Sequence, residues 1–268
     1  MTSEPKGRVL IVAGSDSGGG AGIQADIKAV TALGGFAMTA VTAITVQNTL
    51  GVFDVHPIPL KVIRDQISCV ASDLGVDAVK TGMLGSIETV ETVAEALEAY
   101  TSSAPRVIDP VMVAKGGHPL LEDKAVAAVK SLMIPLAGLL TPNAPEAERL
   151  ADVAVDGING QRRAAERLLR LGASAVLVKG GHIPGARFTD LLATQKGEVF
   201  FEAERIDTSS THGTGCTLAS AISALLAQGV ELEEAVERAR AYLVEAIRRA
   251  PGFGKGHGPL NHAWPFQK

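Results

Sequence analysis

Aromatic residues make up only 4% of the 268 positions, with one tryptophan and two tyrosines. A core so poor in rings is built from Ala, Val, Leu and Ile, which suits tight helix-on-sheet layers and argues against a wide aromatic stacking surface. Two cysteines are present, Cys69 and Cys216, which excludes a disulfide framework. No long apolar run follows Met1-Thr2-Ser3-Glu4-Pro5-Lys6 that would serve as a signal or cross a bilayer, and the expected location is cytoplasmic. An excess of basic charge is missing too: the formal net charge is −4, and no basic stripe offers a surface to nucleic acid or to an anionic membrane. Small-molecule partners are therefore expected.

Short β-branched runs alternate with amphipathic segments. Val9–Ala13, Ala78–Lys80, Val107–Asp109, Gly138–Leu140 and Ala175–Lys179 read as buried strands. Ile63, Ile67, Val70 and Leu74 recur at helical spacing behind Pro59, and Ile87, Val90, Val93, Ala94 and Leu97 do so behind Ser86 as N-cap. Asn159 precedes another helix, and Phe188–Ala193 with Glu198–Ala203 reads as a hairpin through Lys196-Gly197. A charged helix is predicted from Leu232 to Arg249, and the glycine-rich stretch 252–259 reads as loop. The pattern predicts one α/β domain over 1–268, a mostly parallel sheet with helices on both faces. Cys69, inside an amphipathic helix, reads as a small buried hydrophobe, and Met83 and Met112 as core or pocket lining.

The candidate chemistry lies just after strands, where open α/β sheets bind ligands. Thr211-His212-Gly213-Thr214-Gly215-Cys216 precedes an apolar helical run. A glycine turn feeding a helix start aims backbone N–H groups and a positive dipole end at one point, which suits a phosphoryl group. Cys216 placed there is expected to have a lowered pKa and to take a proton from a substrate hydroxyl. That combination reads as a small-molecule kinase.

Gly14-Ser15-Asp16-Ser17-Gly18-Gly19-Gly20-Ala21-Gly22 matches neither a G-x-G-x-x-G fingerprint nor a Walker A loop, which disfavours a dinucleotide oxidoreductase and leaves a turn open to close ligand approach. Gln47, in Gln47-Asn48-Thr49, offers the donor and acceptor that pair with an aminopyrimidine edge, or else merely starts a turn. Asp109, Asn143 and Glu146 are oxygen donors suited to Mg²⁺, while Asn143 and Glu146 alone equally form an N-cap. Lys179 reaches phosphate oxygens as a point charge, or is simply solvated. The six histidines show no zinc spacing.

In order and spacing, Ala13-Gly14-Ser15-Asp16, Gly19–Asp26, Gln47-Asn48-Thr49, Lys80-Thr81-Gly82-Met83-Leu84, Asp109-Pro110-Val111-Met112, Thr141-Pro142-Asn143, Lys179–His182 and Thr211–Thr217 resemble the hydroxymethylpyrimidine and phosphomethylpyrimidine kinases of thiamin biosynthesis. These belong to the ribokinase-like superfamily. The resemblance implies a ribokinase-like three-layer α/β sandwich, use of ATP with Mg²⁺, and a homodimer. By the same resemblance Gln47 reads the pyrimidine, Gly14, Ala21, Met83 and Val111 line its pocket, and Gly213, Thr214, Gly215 and Cys216 form the anion hole and base. Asn143, Glu146 and Asp109 organise metal and phosphates, and Lys179 touches the nucleotide. A second phosphorylation, of the monophosphate, needs compensating charge from Lys115 or His212. Cysteine at the base position also occurs in related pyridoxal kinases, so pyridoxal kinase stays open as a rival, as does a non-catalytic pyrimidine-binding protein.

Overall fold

The computed structural model describes Glu4, residues 6–114 and residues 116–267. Strands β1 (Arg8–Asp16), β2 (Phe36–Asn48), β3 (Gly51–Pro57), β4 (Ala78–Thr81) and β5 (Arg106–Ile108) belong to one sheet with β6 (Leu139–Leu140), β7 (Ala175–Val178), β8 (Arg187–Thr194) and β9 (Gly197–Glu204). Its order is β3-β2-β1-β4-β5-β6-β7-β8-β9. The run from β2 to β7 is parallel, whereas β3, β8 and β9 pair antiparallel at the two edges. The central parallel strands are largely apolar, as in β7 (Ala-Val-Leu-Val) and the Val9–Ala13 part of β1, because helices cover both of their faces.

Alternation in β1 separates the two layers. Leu10 and Val12 face the core built with Ile63 and Ile67 of α2 (Leu60–Asp73), Val90 and Val93 of α3 (Ile87–Tyr100), Leu150 of α5 (Ala144–Ala151) and Leu168 of α6 (Ile158–Arg170). Between α3 and α5 lies the short α4 (Ala125–Ala128), which continues into a π-helical turn, Val129–Met133. Val9, Ile11 and Ala13 face the other way, toward Val30 of α1 (Gly22–Ala32) and Ala224 of α7 (Thr214–Ala227). Beyond α7 packs α8 (Leu232–Arg248), through Ala235, Val236 and Tyr242.

Several local expectations change. β3 is an additional strand formed by the turn after Gln47-Asn48. The strand before Asp109 stops at Ile108. α6 starts one residue before Asn159, with extended Gly157 as its N-cap. Cys69 is exposed, because the buried stripe of α2 runs through Ile63 and Ile67 on the opposite side; Leu74, its C-cap, is exposed as well. Ser86 caps α3 as expected, its Oγ accepting from Thr89 N–H at 3.3 Å.

The C-terminal segment holds the rim of the sheet. His257 N–H donates to Thr49 O at 2.8 Å and His212 N–H to Gly258 O at 3.1 Å. Its anchor is His262, whose Nε2 lies 2.8 Å from Thr217 Oγ1 and whose carbonyl accepts from Tyr242 at 3.0 Å. Burial, helped by the nearby positive charge of Lys28, pushes the His262 pKa down from 6.5 to about 4. The unfolded chain therefore takes up this proton first, and the associated stability falls as pH drops from about 6.5 to 4. Urea titrations over that range should lose on the order of 3 kcal/mol from this group, and His262→Gln should flatten the profile. An unchanged slope in the variant would remove His262 from the account.

Candidate active site

Because β2, β1, β4, β5, β6 and β7 are parallel, the loops after them open on one edge, and the order reverses at β1. A cavity of about 890 Å³ opens there. The structure places on its wall Gly14, Ala21, Gln47, Met83, Asp109, Val111, Asn143, Glu146, Lys179 and Gly213 through Cys216.

Two loops meet through their backbones. Gly213, the N-cap of α7, has φ +83, and a Cβ on it would collide with the Gly20 carbonyl. A Cβ on Gly20 would in turn strike the His212 ring. Only glycine permits this approach and this φ. The first helical bond of α7 runs from Thr217 N–H to Gly213 O at 2.9 Å, so the N–H groups of Thr214, Gly215 and Cys216 lie ahead of the ladder, at the positive end of the helix.

Cys216 departs from expectation. Burial pushes its thiol up to about 11; the Lys80 ammonium opposes this, and the Asp26 and Asp109 carboxylates add to it. Desolvation outweighs the helix-end field, so the resting group is a protonated thiol. Lys80 itself is fully buried and donates to Asp26 Oδ1 and Oδ2 at 3.0 and 2.9 Å, while Ser220 Oγ donates to Oδ1 at 2.7 Å. Burial alone would lower the Lys80 pKa; the facing Asp26 charge overcomes this and keeps it protonated.

Beside the Gly213 turn Asp16 Oδ1 accepts from Gly18 N–H at 2.8 Å, and Oδ2 accepts from Gly20 at 3.0 Å and Ala21 at 2.8 Å. Its Oδ2 also lies 2.8 Å from His212 Nε2. Burial would raise the Asp16 pKa, but the His212 hydrogen bond and the backbone donors together bring it below the ordinary value. A register shift between Val46 and Gln47 accompanies the turn of the β2 edge beside this pair. Gln47 is pinned through its backbone: Ser17 Oγ donates to its carbonyl at 2.8 Å and accepts its N–H at 2.9 Å. Of the two charges suggested for a second acceptor, His212 is engaged with Asp16, and Lys115 lies outside the described residues.

Asn143 and Glu146 form the capping box of α5: Asn143 Oδ1 accepts Glu146 N–H and Glu146 Oε2 accepts Asn143 N–H, both at 2.9 Å. Lys179 Nζ lies 3.2 Å from Asp109 Oδ1. Burial pushes Glu146 up to about 7, Lys179 opposing and Asp109 adding to the rise. No group of three or more His, Cys, Asp or Glu side chains is arranged to hold a metal among the described residues. Two carboxylates beside a lysine nevertheless suit Mg²⁺, which takes one or two carboxylates and completes its shell with water and phosphate oxygens. Buried Glu146 would be ionised more readily beside such a cation.

The family model described as phosphomethylpyrimidine kinase matches residues 16–261. The chain belongs to the phosphomethylpyrimidine kinase family. The hydroxymethylpyrimidine/phosphomethylpyrimidine kinase of Bacillus subtilis is 47% identical over 258 residues, covering 95% of this chain and 94% of that protein. The thiamine biosynthesis bifunctional protein ThiED of Geobacter sulfurreducens is 51% identical over 96% of this chain, which spans 52% of that longer protein. Among solved structures, the ADP complex of Bacillus subtilis pyridoxal kinase superposes with TM-score 0.89 at 35% identity, over 96% of this chain and 98% of that one. Phosphomethylpyrimidine kinase of Clostridium difficile gives 0.80 at 41% identity, over 90% and 100%. This phosphomethylpyrimidine kinase family member thus has the ribokinase-like α/β fold.

Sequence reasoning missed the Asp16–His212 and Asp26–Lys80 pairs, whose partners are 196 and 54 residues apart. It also missed the far wall of the cavity, where Phe188, Ile206, Leu243 and Ile247 are apolar and carry no motif. The raised Cys216 pKa has a direct readout. Iodoacetamide labelling of the Cys216 peptide, followed by mass spectrometry, should accelerate about tenfold per pH unit from pH 7 to 9. A plateau below pH 8 would contradict the effect of burial.

Proposed function

We propose that this kinase transfers the γ-phosphoryl group of ATP to 4-amino-5-hydroxymethyl-2-methylpyrimidine and then phosphorylates the monophosphate to the diphosphate, as a step in thiamin biosynthesis. The observation that carries the reading is one cavity lined by both a carboxamide, Gln47, and a thiol in the first turn of a helix, Cys216. The names and full-length identity of the relatives support the same substrate. The rival non-catalytic binder has no use for a proton acceptor beside unladdered helix N–H groups.

In this mechanism the substrate hydroxymethyl oxygen attacks the γ-phosphorus in line as the bond to the ADP oxygen breaks. The hydroxyl proton passes to Cys216 Sγ, taken by the thiolate fraction. The N–H groups of Thr214, Gly215 and Cys216 stabilise the equatorial oxygens, and Lys179 supplies positive charge. Transition states of this kind are loose, so positioning and charge outweigh base strength. Asp109 and Glu146, with the Asn143 loop, would hold Mg²⁺, which when bound neutralises phosphate charge.

The reading includes a single kinase unit over 1–268 acting in the cytoplasm. No described helix is long and apolar enough to cross a membrane. It also includes a homodimer, supported by exposed Ile44, Val46, Leu50 and Phe53 along β2, β3 and their turn, an association that sedimentation equilibrium measures. Mass-resolved products with Mg²⁺-ATP should show pyrimidine monophosphate followed by diphosphate. Cys216→Ala should cut kcat by about 100-fold or more while leaving nucleotide binding intact. The wild-type kcat/KM should rise with pH above 7, and the variant's should not. Unchanged turnover would remove Cys216 from the chemistry, and absence of pyrimidine phosphates would overturn the substrate.

A further inference from the structure

The hydrogen-bonding roles around Gln47 decide how its carboxamide is turned, because the two ends of an amide have nearly the same outline. The structure places Gln47 Nε2 3.3 Å from His212 Nε2 and Gln47 Oε1 3.1 Å from Thr45 Oγ1. His212 Nε2 is also 2.8 Å from Asp16 Oδ2. An ionised carboxylate only accepts, so His212 Nε2 carries the hydrogen and donates it. An amide –NH₂ facing that N–H sets donor against donor, whereas a carbonyl oxygen accepts the second branch of a shared bond. On the opposite side the Thr45 hydroxyl has one hydrogen, directed to Ser15 O at 3.0 Å. Toward Gln47 it is then an acceptor and requires the –NH₂ group. A half-turn of the carboxamide satisfies both neighbours at once.

We infer that the Asp16–His212 pair and Thr45 together lock the Gln47 carboxamide with its oxygen toward His212 and its nitrogen toward Thr45, and that this lock sets which way round the aminopyrimidine lies. The inference rests on the substrate proposed above. One oxygen lone pair on the His212 side and one N–H on the Thr45 side are left over for ligand. In 4-amino-5-hydroxymethylpyrimidine the exocyclic amine lies between the ring nitrogen beside it and the carbon bearing the hydroxymethyl group. The amine donates to the Gln47 oxygen and the ring nitrogen accepts from the Gln47 N–H. The hydroxymethyl arm then extends past the amine to the His212 side, where the chain runs directly into Gly213–Cys216. The reversed amide would turn the arm toward Thr45, away from that turn. His212, Asp16 and Thr45 are thus positioning residues that act through Gln47.

The test compares two substrates, the 4-aminopyrimidine and its 4-deamino analogue, by kcat/KM in wild type, His212→Leu, Thr45→Val and Thr45→Ser. Wild type should prefer the amino compound strongly. His212→Leu and Thr45→Val should each lower kcat/KM for the amino compound by about tenfold or more, and the deamino compound by far less, so that the preference collapses. Thr45→Ser, which keeps the hydroxyl, should retain it. Equal losses on both substrates would mark a merely structural role and overturn the inference, as would an unchanged preference. Should His212→Leu fail to fold, the Thr45 pair decides alone. If wild type does not phosphorylate the aminopyrimidine at all, the functional reading itself fails; if it does and the preference survives in the variants, only the lock fails.

Discussion

The Asp26 carboxylate ties together the three elements on which the reactive end of the site is built. It sits on α1, accepts both bonds from Lys80 on β4, and accepts Ser220 Oγ from α7, one helical turn beyond Cys216. Both members of the pair are fully buried. Losing one partner leaves an uncompensated buried charge, which typically costs about 3–5 kcal/mol. The same pair acts on Cys216 in opposite directions: Lys80 favours the thiolate and Asp26 opposes it. A strut that fixes the position of α7 therefore also sets the electrostatic setting of its first turn.

That setting explains how a helix start can carry a thiol of raised pKa without conflict. The helix field acts on whatever occupies the space in front of Thr214, Gly215 and Cys216, and a phosphoryl group gains from it directly. Cys216 is half-buried among Lys80, Asp26 and Asp109, where desolvation dominates. The close approach of Gly213 to Gly20 then joins the first turn of α7 to the Asp16 loop, whose Ser17 holds the Gln47 backbone. His212 belongs to both: its backbone is held by Gly258 and its ring by Asp16.

Most of the sheet was legible because buried parallel strands are continuous apolar runs and their helices repeat at 3.6 residues. β3 escaped because its half-exposed residues give no apolar run, and Cys69 was misplaced because one residue type says little about which side of α2 it occupies. The wall of the cavity was readable where loops follow strands. The side-chain pairs that tune it were not, since Asp16 and His212, or Asp26 and Ser220, are brought together only by the fold. Asn143 and Glu146 illustrate a motif with two meanings: their spacing forms a capping box, and both line the cavity together with Lys179 and Asp109.

The Bacillus subtilis relative matched along nearly the whole of both chains is a hydroxymethylpyrimidine/phosphomethylpyrimidine kinase, and the pyridoxal kinase neighbour shares the scaffold. Backbone superposition is closer to the Bacillus subtilis pyridoxal kinase, at TM-score 0.89, than to the Clostridium difficile phosphomethylpyrimidine kinase, at 0.80, while sequence identity runs the other way, 35% against 41%. Shape reports the shared scaffold, and in the proposed reading the choice of ring falls to a few polar groups such as Gln47. The most direct measurement is therefore competition in one reaction, with Mg²⁺-ATP, hydroxymethylpyrimidine and pyridoxal at equal concentration and the phosphorylated products resolved by mass. The account predicts that pyrimidine phosphates dominate; predominant pyridoxal phosphate would contradict it while leaving the Cys216 chemistry in place.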